Sequence, residues 1–302
     1  MALPCGPSAL LCGATLRWVR PMTDWFTTAA AALAPGAGFT HFIALFALVV
    51  TAIVIIGVCT GLAFEIMNRR HPERRIQTNR VNERKWQELW RAPGSISVIA
   101  LCFSGGLFVQ GQGWALTPLP LSWWSVPVTF VASVVLYDAW FYWVHRLLHW
   151  KPLFRFHALH HTSVAPTVWT NHHETVVEAL LNQLFFVVIV FVVPIPAVVL
   201  IAHKIYDQIS GMVGHAGYEH FASPAGRTPW PLASTVFHDQ HHGYFRLNYA
   251  HTFSFWDRMM GTLHPRYDET VLRFEGNVPA AGVHADGSLG TATGDTASTG
   301  RH

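Results

Sequence analysis

Histidine dominates the residues of this chain that could do chemistry. Nineteen histidines occur in 302 residues, and fourteen of them fall between positions 145 and 251. Three groups have spacings that bring rings together: an HxxxH motif and two HxxHH motifs. Their members are His145 and His149, then His157, His160 and His161, and finally His238, His241 and His242. Residues three or four apart share a helix face, so two or three rings of each motif are expected to converge on one point.

Clustered imidazoles of this kind indicate a metal site. Neutral imidazole binds iron, zinc and copper through one ring nitrogen, while an acceptor holds the other nitrogen. A lone histidine on an apolar face is more often a hydrogen-bonded core residue. Eight clustered rings would leave many buried nitrogens without partners if neutral, and would repel one another if charged. With about four or five ligands per ion, the eight rings are enough for two ions. The spacing of the motifs does not distinguish iron from zinc as the bound metal.

Other polar residues of the same region are candidates for the site. His215 follows the fourth apolar region and is predicted to be a further ligand. His172, His173 and His220 are possible additional ligands, with helix capping or a structural role as the alternative. Neighbouring residues could accept imidazole N–H groups and orient the rings, their alternative being ordinary capping or surface polarity. These orienting candidates are Asp138, Glu178, Asp239 and Asn248.

The composition points to a membrane. Charged residues make up 12% of the chain and hydrophobic residues 51%, whereas soluble domains carry about 25% charged residues. The net charge of +3 is mild, and no basic stripe with interleaved aromatics suggests nucleic acid as a partner. The four cysteines form no CxxC pair, so we interpret them as small apolar residues and not as a disulfide framework.

Three stretches are long and apolar enough to span a bilayer as helices. Phe42–Phe64 and Ser95–Leu116 carry no charge, and Trp123–Val144 carries only Asp138. About 20 apolar residues cross the hydrocarbon core. The segment Asn68–Arg91 between the first two spans holds eight arginines and lysines, whereas Thr117–Leu121 has no charge. The positive-inside rule therefore predicts that the basic segment is cytoplasmic.

The fourth apolar region, Ala179–Ala202, is predicted to be a broken helical hairpin. A straight span would carry the last HxxHH motif to the opposite side of the membrane from the first two motifs. Pro194 and Pro196 lie in the middle of this region, and proline breaks or kinks a helix. Two arms, roughly Ala179–Val193 and Pro196–Val213, would return the chain to the same face. All histidine motifs are then expected on the cytoplasmic face.

Composition also predicts three parts of the chain. Residues 1–40 are expected to be a poorly ordered leader, and residues 41–277 a membrane domain with a cytosolic cap that carries the histidine motifs. Residues 278–302 are rich in Gly, Ala, Thr and Ser, which is typical of a disordered tail.

The order of the motifs resembles the fatty acid hydroxylase and sterol desaturase superfamily. The resemblance covers about Asp138–Thr262 and includes the runs DAWFYWVHRLLH, from Asp138, and HDQHHGYFRLNYAHTFSFWD, from His238. Within the superfamily, the HAGYE sequence that starts at His215, the NYA sequence and the FWD sequence are most similar to the C-4 methylsterol monooxygenase branch.

Several expectations follow from this resemblance alone. It implies an all-α integral membrane protein with about four transmembrane helices and a cytosolic helical cap that holds a non-haem di-iron site. It also implies nine iron ligands: His145, His149, His157, His160, His161, His215, His238, His241 and His242. The expected activity is O₂-dependent hydroxylation of a membrane lipid such as a sterol or fatty acyl chain. No dinucleotide fingerprint is visible, so a reductase, ferredoxin or cytochrome is expected to donate electrons.

Two other functions remain open at this stage. Desaturation would use the same ligands, with loss of a second hydrogen atom in place of hydroxylation. A histidine-rich zinc transporter or sensor is a candidate of another class, although transport would need polar ligands within the spans. The sequence also departs from sterol oxidases, which often have a His-Pro-x-Glu sequence where this chain has Thr175 and Glu178. This departure weakens the sterol assignment more than the chemistry.

Overall fold

Helices form the regular structure of the part of the chain that can be described. A computed structural model describes residues 27–276. Within that range, the extended pairings are two isolated β-bridges, Arg75–Tyr218 and Leu232–Phe253. The predicted all-α fold is confirmed for these residues. Most of the predicted leader (1–26) and the whole predicted tail (278–302) lie outside them.

Three long helices, α1 (Phe39–Arg70), α2 (Lys85–Gly111) and α3 (Ser125–Leu148), are long and apolar enough to cross a membrane. They indicate a membrane protein. Helix α2 starts ten residues before the predicted span and ends five residues before its predicted end at Leu116. It ends early because Gly113, two residues beyond α2, adopts φ +73°, a conformation that suits glycine and turns the chain out of the helix.

The fourth apolar region is broken, as the prolines predicted. Helix α4 (Val176–Gln183) is followed by a short helix α5 (Phe185–Val188) and a 3₁₀ turn, Ile189–Phe191. After Pro194 and Pro196, the chain resumes as α6 (Ala197–Gly214). The connection is fixed by two hydrogen bonds: Leu119 N donates to Pro194 O at 2.9 Å, and Gln110 Nε2 to Ile195 O at 2.7 Å.

A buried apolar core joins the long helices to the broken region. It includes Leu45 of α1, Phe103 of α2, Tyr137 of α3, Phe186 of α5 and Leu200 of α6. Helix α2 approaches α5 so closely that a Cβ atom on Gly106 would lie 2.2 Å from the carbonyl oxygen of Phe186. This close contact holds the broken region against the bundle.

The chain after α6 folds over one end of the bundle. It contains α7 (Thr235–Tyr244), α8 (Phe255–Met260) and α9 (Tyr267–Glu275), which pack around a second buried cluster with Ile76 and Tyr142. The basic segment between α1 and α2 lies against this end of the molecule: Gln77 Nε2 donates to Asp239 Oδ1 at 2.9 Å, and Arg74 O accepts from Glu219 N at 2.8 Å. The basic segment and the last histidine motif therefore share one side.

Candidate metal centre

Nine histidines from α3, from α7 and from the segments that follow α3 and α6 gather in two adjoining groups. In each group the ring nitrogens that could bind a metal lie within 4.8 Å of one another. The five-histidine group is His145, His149, His157, His161 and His241; the four-histidine group is His160, His215, His238 and His242. These nine residues are the nine ligands that the resemblance implied.

Each HxxHH motif is divided between the two groups. In the first motif, His157 and His161 enter the five-histidine group, whereas His160 enters the four-histidine group. In the last motif, which lies on α7, the assignment is reversed: His241 joins the five-histidine group, and His238 and His242 join the other. The sequence-based expectation of one convergence point per motif therefore holds only for the residues four apart. The third ring points to the neighbouring group and links the two.

Oxygen acceptors fix the outward-facing nitrogen of several rings. His145 Nδ1 lies 2.7 Å from Tyr249 O, and His241 Nδ1 lies 2.7 Å from Leu247 O. His215 Nδ1 lies 2.7 Å from Gly211 O, and His160 Nδ1 lies 3.2 Å from His173 O. A carbonyl oxygen can only accept, so each of these Nδ1 atoms carries the proton. In a neutral ring, the Nε2 atom that faces the group then bears a lone pair.

Unprotonated nitrogens face neighbouring ring nitrogens at short distances in both groups. In the four-histidine group, His160 Nε2 and His215 Nε2 are 3.2 Å apart, and neither carries a proton if its ring is neutral. In the five-histidine group, His241 Nε2 lies 3.0 Å from His161 Nε2, and His145 Nε2 lies 3.0 Å from His157 Nε2. Two metal–nitrogen bonds of about 2.1 Å at a right angle would place the nitrogens about 3.0 Å apart. The donor set therefore fits a cation in each group.

Burial keeps the rings neutral. Desolvation lowers the pKa of His215 to about 3 and lowers the pKa of His160 and His241 well below the ordinary value of 6.5. Neighbouring histidines lower the pKa further, because their positive charges would repel one another. Neutral imidazole is the form that binds metal, so burial keeps these histidines in a form that could bind a metal at neutral pH.

Among the orienting candidates, Glu178 contacts an imidazole directly. Its Oε1 atom lies 2.6 Å from His157 Nδ1, and both side chains are buried. Thr175 occupies the position where sterol oxidases often have a histidine. It forms the N-cap of α4, and its side chain accepts a hydrogen bond from the Glu178 amide. The threonine thus fixes the start of the helix that carries this glutamate.

Two of the other orienting candidates, Asp138 and Asn248, form hydrogen bonds with backbone groups. Asp138 Oδ1 accepts from the amides of His251, Thr252 and Phe253 at 2.6–3.1 Å. Asn248, at φ +60°, bonds Phe237 O and the amide of His264. The two residues hold the loop that offers the Leu247 and Tyr249 carbonyls to the ligands. Asp239 instead accepts from Gln77, and burial raises the pKa of this carboxyl to about 7.

The three additional histidines are placed outside both groups. His172 Nε2 lies 2.7 Å from Gln208 Nε2, and His173 Nε2 lies 3.2 Å from Thr162 Oγ1. His220 Nε2 lies 2.7 Å from Asn68 Oδ1, which ties the chain after α6 to the end of α1. The structure thus gives them hydrogen-bonding partners away from the two groups.

Sequence reasoning missed a polar cavity beside the two groups. The cavity has a volume of about 80 Å³, and histidines of both groups line it. Its other walls include Lys204 and Asp207 of α6, a buried ion pair with 2.7 Å between Nζ and Oδ2. The available signal was a lysine and an aspartate in an otherwise apolar region, since buried charges in membrane segments commonly mark functional sites.

An apolar groove lies along α3. It has a volume of about 430 Å³ and is lined by side chains of α3 and the first arm of the fourth region, including Trp140 and Phe185. The Phe185 ring contacts Tyr137 with the ring centroids 5.1 Å apart, and Tyr137 lines the polar cavity. An aromatic wall therefore separates the groove from the cavity.

Comparisons with known proteins agree with the motif order. Residues 130–262 match the sequence model of the fatty acid hydroxylase family. Methylsterol monooxygenase 1 of Gallus gallus is 33% identical over 48% of this chain and 51% of its own length. Methylsterol monooxygenase of Aspergillus fumigatus is 30% identical over 45% of this chain and 48% of its length.

Lathosterol oxidase of Mus musculus is 30% identical over 53% of this chain and 51% of its own length. The chain thus spans about half the length of the curated relatives that it matches. No solved structure matches it.

Proposed function

We propose that this protein is an O₂-dependent di-iron hydroxylase of a membrane lipid such as a sterol or fatty acyl chain, because residues 130–262 match the sequence model of the fatty acid hydroxylase family. The observation that carries the proposal is the pair of unprotonated nitrogens, His160 Nε2 and His215 Nε2, 3.2 Å apart. Two lone pairs at this distance repel each other unless a cation lies between them.

The five-histidine group and the four-histidine group would each hold one iron ion. The relatives are monooxygenases and oxidases by name, which favours iron, a redox-active metal, over zinc. When two ferrous ions are bound, they would reduce O₂ with two electrons and two protons, so that one oxygen atom enters a C–H bond and the other leaves as water. The sequence contains no nucleotide fingerprint, so a separate protein would supply the electrons.

The chain's own residues position the ligands and exclude water. Backbone carbonyls of Tyr249, Leu247 and Gly211 would fix the tautomer and the ring plane of three ligands, and Glu178 would hold the ring of a fourth, His157. Most of the ligand rings are buried, so bulk water is kept from the site. The apolar groove beside α3 would hold the hydrocarbon part of the lipid, because it is apolar and the contacting rings of Phe185 and Tyr137 are the wall between it and the cavity.

The active site would lie on the cytoplasmic face. The basic segment between α1 and α2 contacts the end of the molecule that carries α7, through the Gln77–Asp239 hydrogen bond. Positively charged segments next to membrane spans are retained in the cytoplasm. The fourth region, broken at its prolines, would enter the membrane and return to this same side.

Iron content and product formation test the proposal together. Protein purified without oxygen and supplied with Fe²⁺ is expected to hold about two irons per chain. With O₂ and a reductant it should add one oxygen atom to a lipid from an extract, as measured by mass spectrometry. His241→Ala should lose iron and product, whereas the matched His71→Ala variant, at an exposed histidine, should keep both.

Three results would contradict the proposal. They are zinc as the metal bound under these conditions, absence of bound iron, and a wild-type protein that forms no oxidised lipid. A product that lacks two hydrogen atoms and has gained no oxygen would instead establish desaturation at this site.

A further inference from the structure

Residues 248–262 form a loop that runs along α3 and returns. Near its start, Tyr249 O accepts a hydrogen bond from His145 Nδ1 at 2.7 Å. Its tip, residues 251–253, lies against Asp138, whose Oδ1 atom accepts from the three amides of the tip. His145 and Asp138 both belong to α3 and are seven residues apart. The 248–262 loop therefore extends about 10 Å along this helix, away from the histidine groups.

The returning part of the 248–262 loop contains α8. The Trp256 ring of α8 stacks on the Tyr142 ring of α3, with the ring centroids 5.9 Å apart. Tyr142 OH also lies 3.1 Å from Thr262 Oγ1. Thr262 O accepts from Asn248 N at 2.8 Å, which closes the loop at its base. Both limbs of the loop thus pack against α3, and the tip reaches farthest along the helix.

The tip of the loop lies at the depth of the membrane. Helix α3 has 24 residues and is about 36 Å long, whereas the hydrocarbon core is about 30 Å thick. Asp138 is ten residues from the end of α3 at Leu148 and thirteen residues from its start at Ser125. Whichever end of a helix of this length protrudes from the core, the level of Asp138 lies inside it. Residues 251–253 are therefore beside hydrocarbon and not above the membrane surface.

The backbone of the 248–262 loop is satisfied without water. Non-helical backbone is tolerated at membrane depth only where the protein or a water-filled cavity satisfies its polar groups. The two carboxylate oxygens of Asp257 accept from the amides of Tyr249 and Ala250 at 2.8 and 2.9 Å, and Asp138 accepts from the next three amides. Two buried carboxylates thus bind five consecutive amides. A loop in solvent could use water for this purpose, so the arrangement favours a dry environment.

The outward-facing side of the loop is apolar. Phe255 and Met259 are one helical turn apart on α8, and they are 50% and 55% exposed. The neighbouring residues 230–232 add an exposed tryptophan and an exposed leucine. Ser254 N donates to Pro231 O at 2.6 Å, which holds this segment beside the tip. Exposed apolar side chains that lie together mark a contact with another protein or with a membrane.

The charged residues of the loop have partners within the protein. They are Asp257, which is buried, and Arg258. Arg258 forms an ion pair with Asp268, with 2.5 Å between Nη2 and Oδ1, and its Nη1 atom donates to Thr228 Oγ1 at 2.7 Å. An unpaired charge would oppose contact with hydrocarbon, and this pairing removes that obstacle.

We propose that the 248–262 loop is a re-entrant membrane element, inserted into the leaflet next to the histidine groups. The face that carries Phe255 and Met259 contacts the acyl chains of this leaflet. The depth of the tip on α3 favours lipid as the occupant, because a soluble partner cannot reach this level of a membrane span. The element is a membrane contact in addition to α1, α2 and α3, and it does not depend on which metal or substrate the protein binds.

Spin-label accessibility tests the insertion. In a full-length background without native cysteines, Phe255→Cys and Met259→Cys are each labelled with a nitroxide and reconstituted in phospholipid nanodiscs. Power-saturation EPR compares collisions with O₂, which concentrates in hydrocarbon, and collisions with a water-soluble nickel chelate. Ile55→Cys, at an exposed position in the middle of α1, is the membrane reference. Arg246→Cys, at an exposed polar position, is the water reference.

We expect the ratio of O₂ to nickel collisions at Phe255→Cys and Met259→Cys to approach the ratio at Ile55→Cys. It should exceed the ratio at Arg246→Cys by about 10-fold or more, because hydrocarbon excludes strongly polar solutes. A ratio equal to that at Arg246→Cys would place the face in water and overturn the proposal. Low collision rates with both reagents would mean that protein, such as a second copy of this chain, covers the face, and would overturn it as well. If one of the two variants does not fold, the other decides the question.

Discussion

At the scale of single residues, the candidate centre depends on which nitrogen of each ring carries the proton. Carbonyl oxygens of Tyr249, Leu247 and Gly211 accept from Nδ1 and leave Nε2 directed toward the groups. His157 differs because a carboxylate, Glu178 Oε1, takes this place at 2.6 Å. A carboxylate makes the imidazole more basic and a better ligand than a carbonyl does.

Removal of Glu178 should therefore weaken metal binding without emptying the site. Glu178→Ala leaves His157 Nδ1 without its acceptor, and we expect about a 10–100-fold loss of Fe²⁺ affinity, measured by anaerobic titration. Glu178→Gln keeps an oxygen acceptor and should lose less. Glu83→Ala, at an exposed glutamate, is the control. Equal affinity in Glu178→Ala and the control would show that Glu178 does not orient a ligand.

At the scale of elements, close contact between helices positions the histidine motifs. Helix α2 touches α5 at Gly106, next to the broken region that lets α6 bring His215 back to the site. Tight packing of this kind leaves no space for an added methyl group. The adjacent Gly105 is different, because the nearest atom to an added Cβ there is Val187 Cγ2 at 4.0 Å.

Two neighbouring alanine substitutions should thus have opposite effects. Gly106→Ala places a Cβ 2.2 Å from Phe186 O and should lower the free energy of unfolding by about 1–3 kcal/mol. Gly105→Ala should leave it unchanged or raise it by up to about 1 kcal/mol, since alanine favours helix. Thermal unfolding in detergent measures both. If the two variants have equal midpoints, α2 and α5 do not pack as described.

At the scale of the whole molecule, a group of buried neutral histidines makes stability depend on pH. Burial lowers the pKa of His215 to about 3, whereas in the unfolded chain a histidine titrates near 6.5. Between these values the unfolded state binds more protons than the folded state, so stability falls as pH falls. Each such ring can add a slope of up to about 1.4 kcal/mol per pH unit.

The metal-free protein should accordingly unfold on mild acidification. After treatment with a chelator, we expect the thermal midpoint to be nearly constant above about pH 7 and to fall steeply below about pH 6.5. His215→Asn removes one titrating ring and should reduce the slope. A midpoint that stays constant down to about pH 5 would mean that these rings are solvated or already charged in the folded state.

The sidedness of the molecule can be tested on the full chain. In a background without native cysteines, Thr117→Cys and Lys151→Cys each place one thiol at an exposed position. Thr117 follows α2, and Lys151 lies just beyond His149. A membrane-impermeant maleimide should label Thr117→Cys in intact cells and Lys151→Cys only after permeabilisation. Labelling of Lys151→Cys in intact cells would place the histidine groups outside the cytoplasm.

Much of the fold could be derived from the sequence because its signals are local. Long apolar stretches predict α1, α2 and α3, and Pro194 and Pro196 predict the break before α6. Proline in a helix interior removes a hydrogen bond and kinks or breaks the helix. The single Pro93 stays within α2, whereas two prolines only two residues apart predicted this break without tertiary information. The spacing of the HxxxH and HxxHH motifs likewise identified eight of the nine histidines that gather in the structure.

Only the tertiary structure decided how these residues are arranged. The division of each HxxHH motif between two groups depends on which rings face α3 and which face α6, and no local pattern contains that information. The backbone acceptors of the rings are invisible in sequence, since every residue has a carbonyl. The polar cavity joins α4 to α6 through the Gln183–Lys204 hydrogen bond, and side chains from separate helices meet there only when the chain is folded.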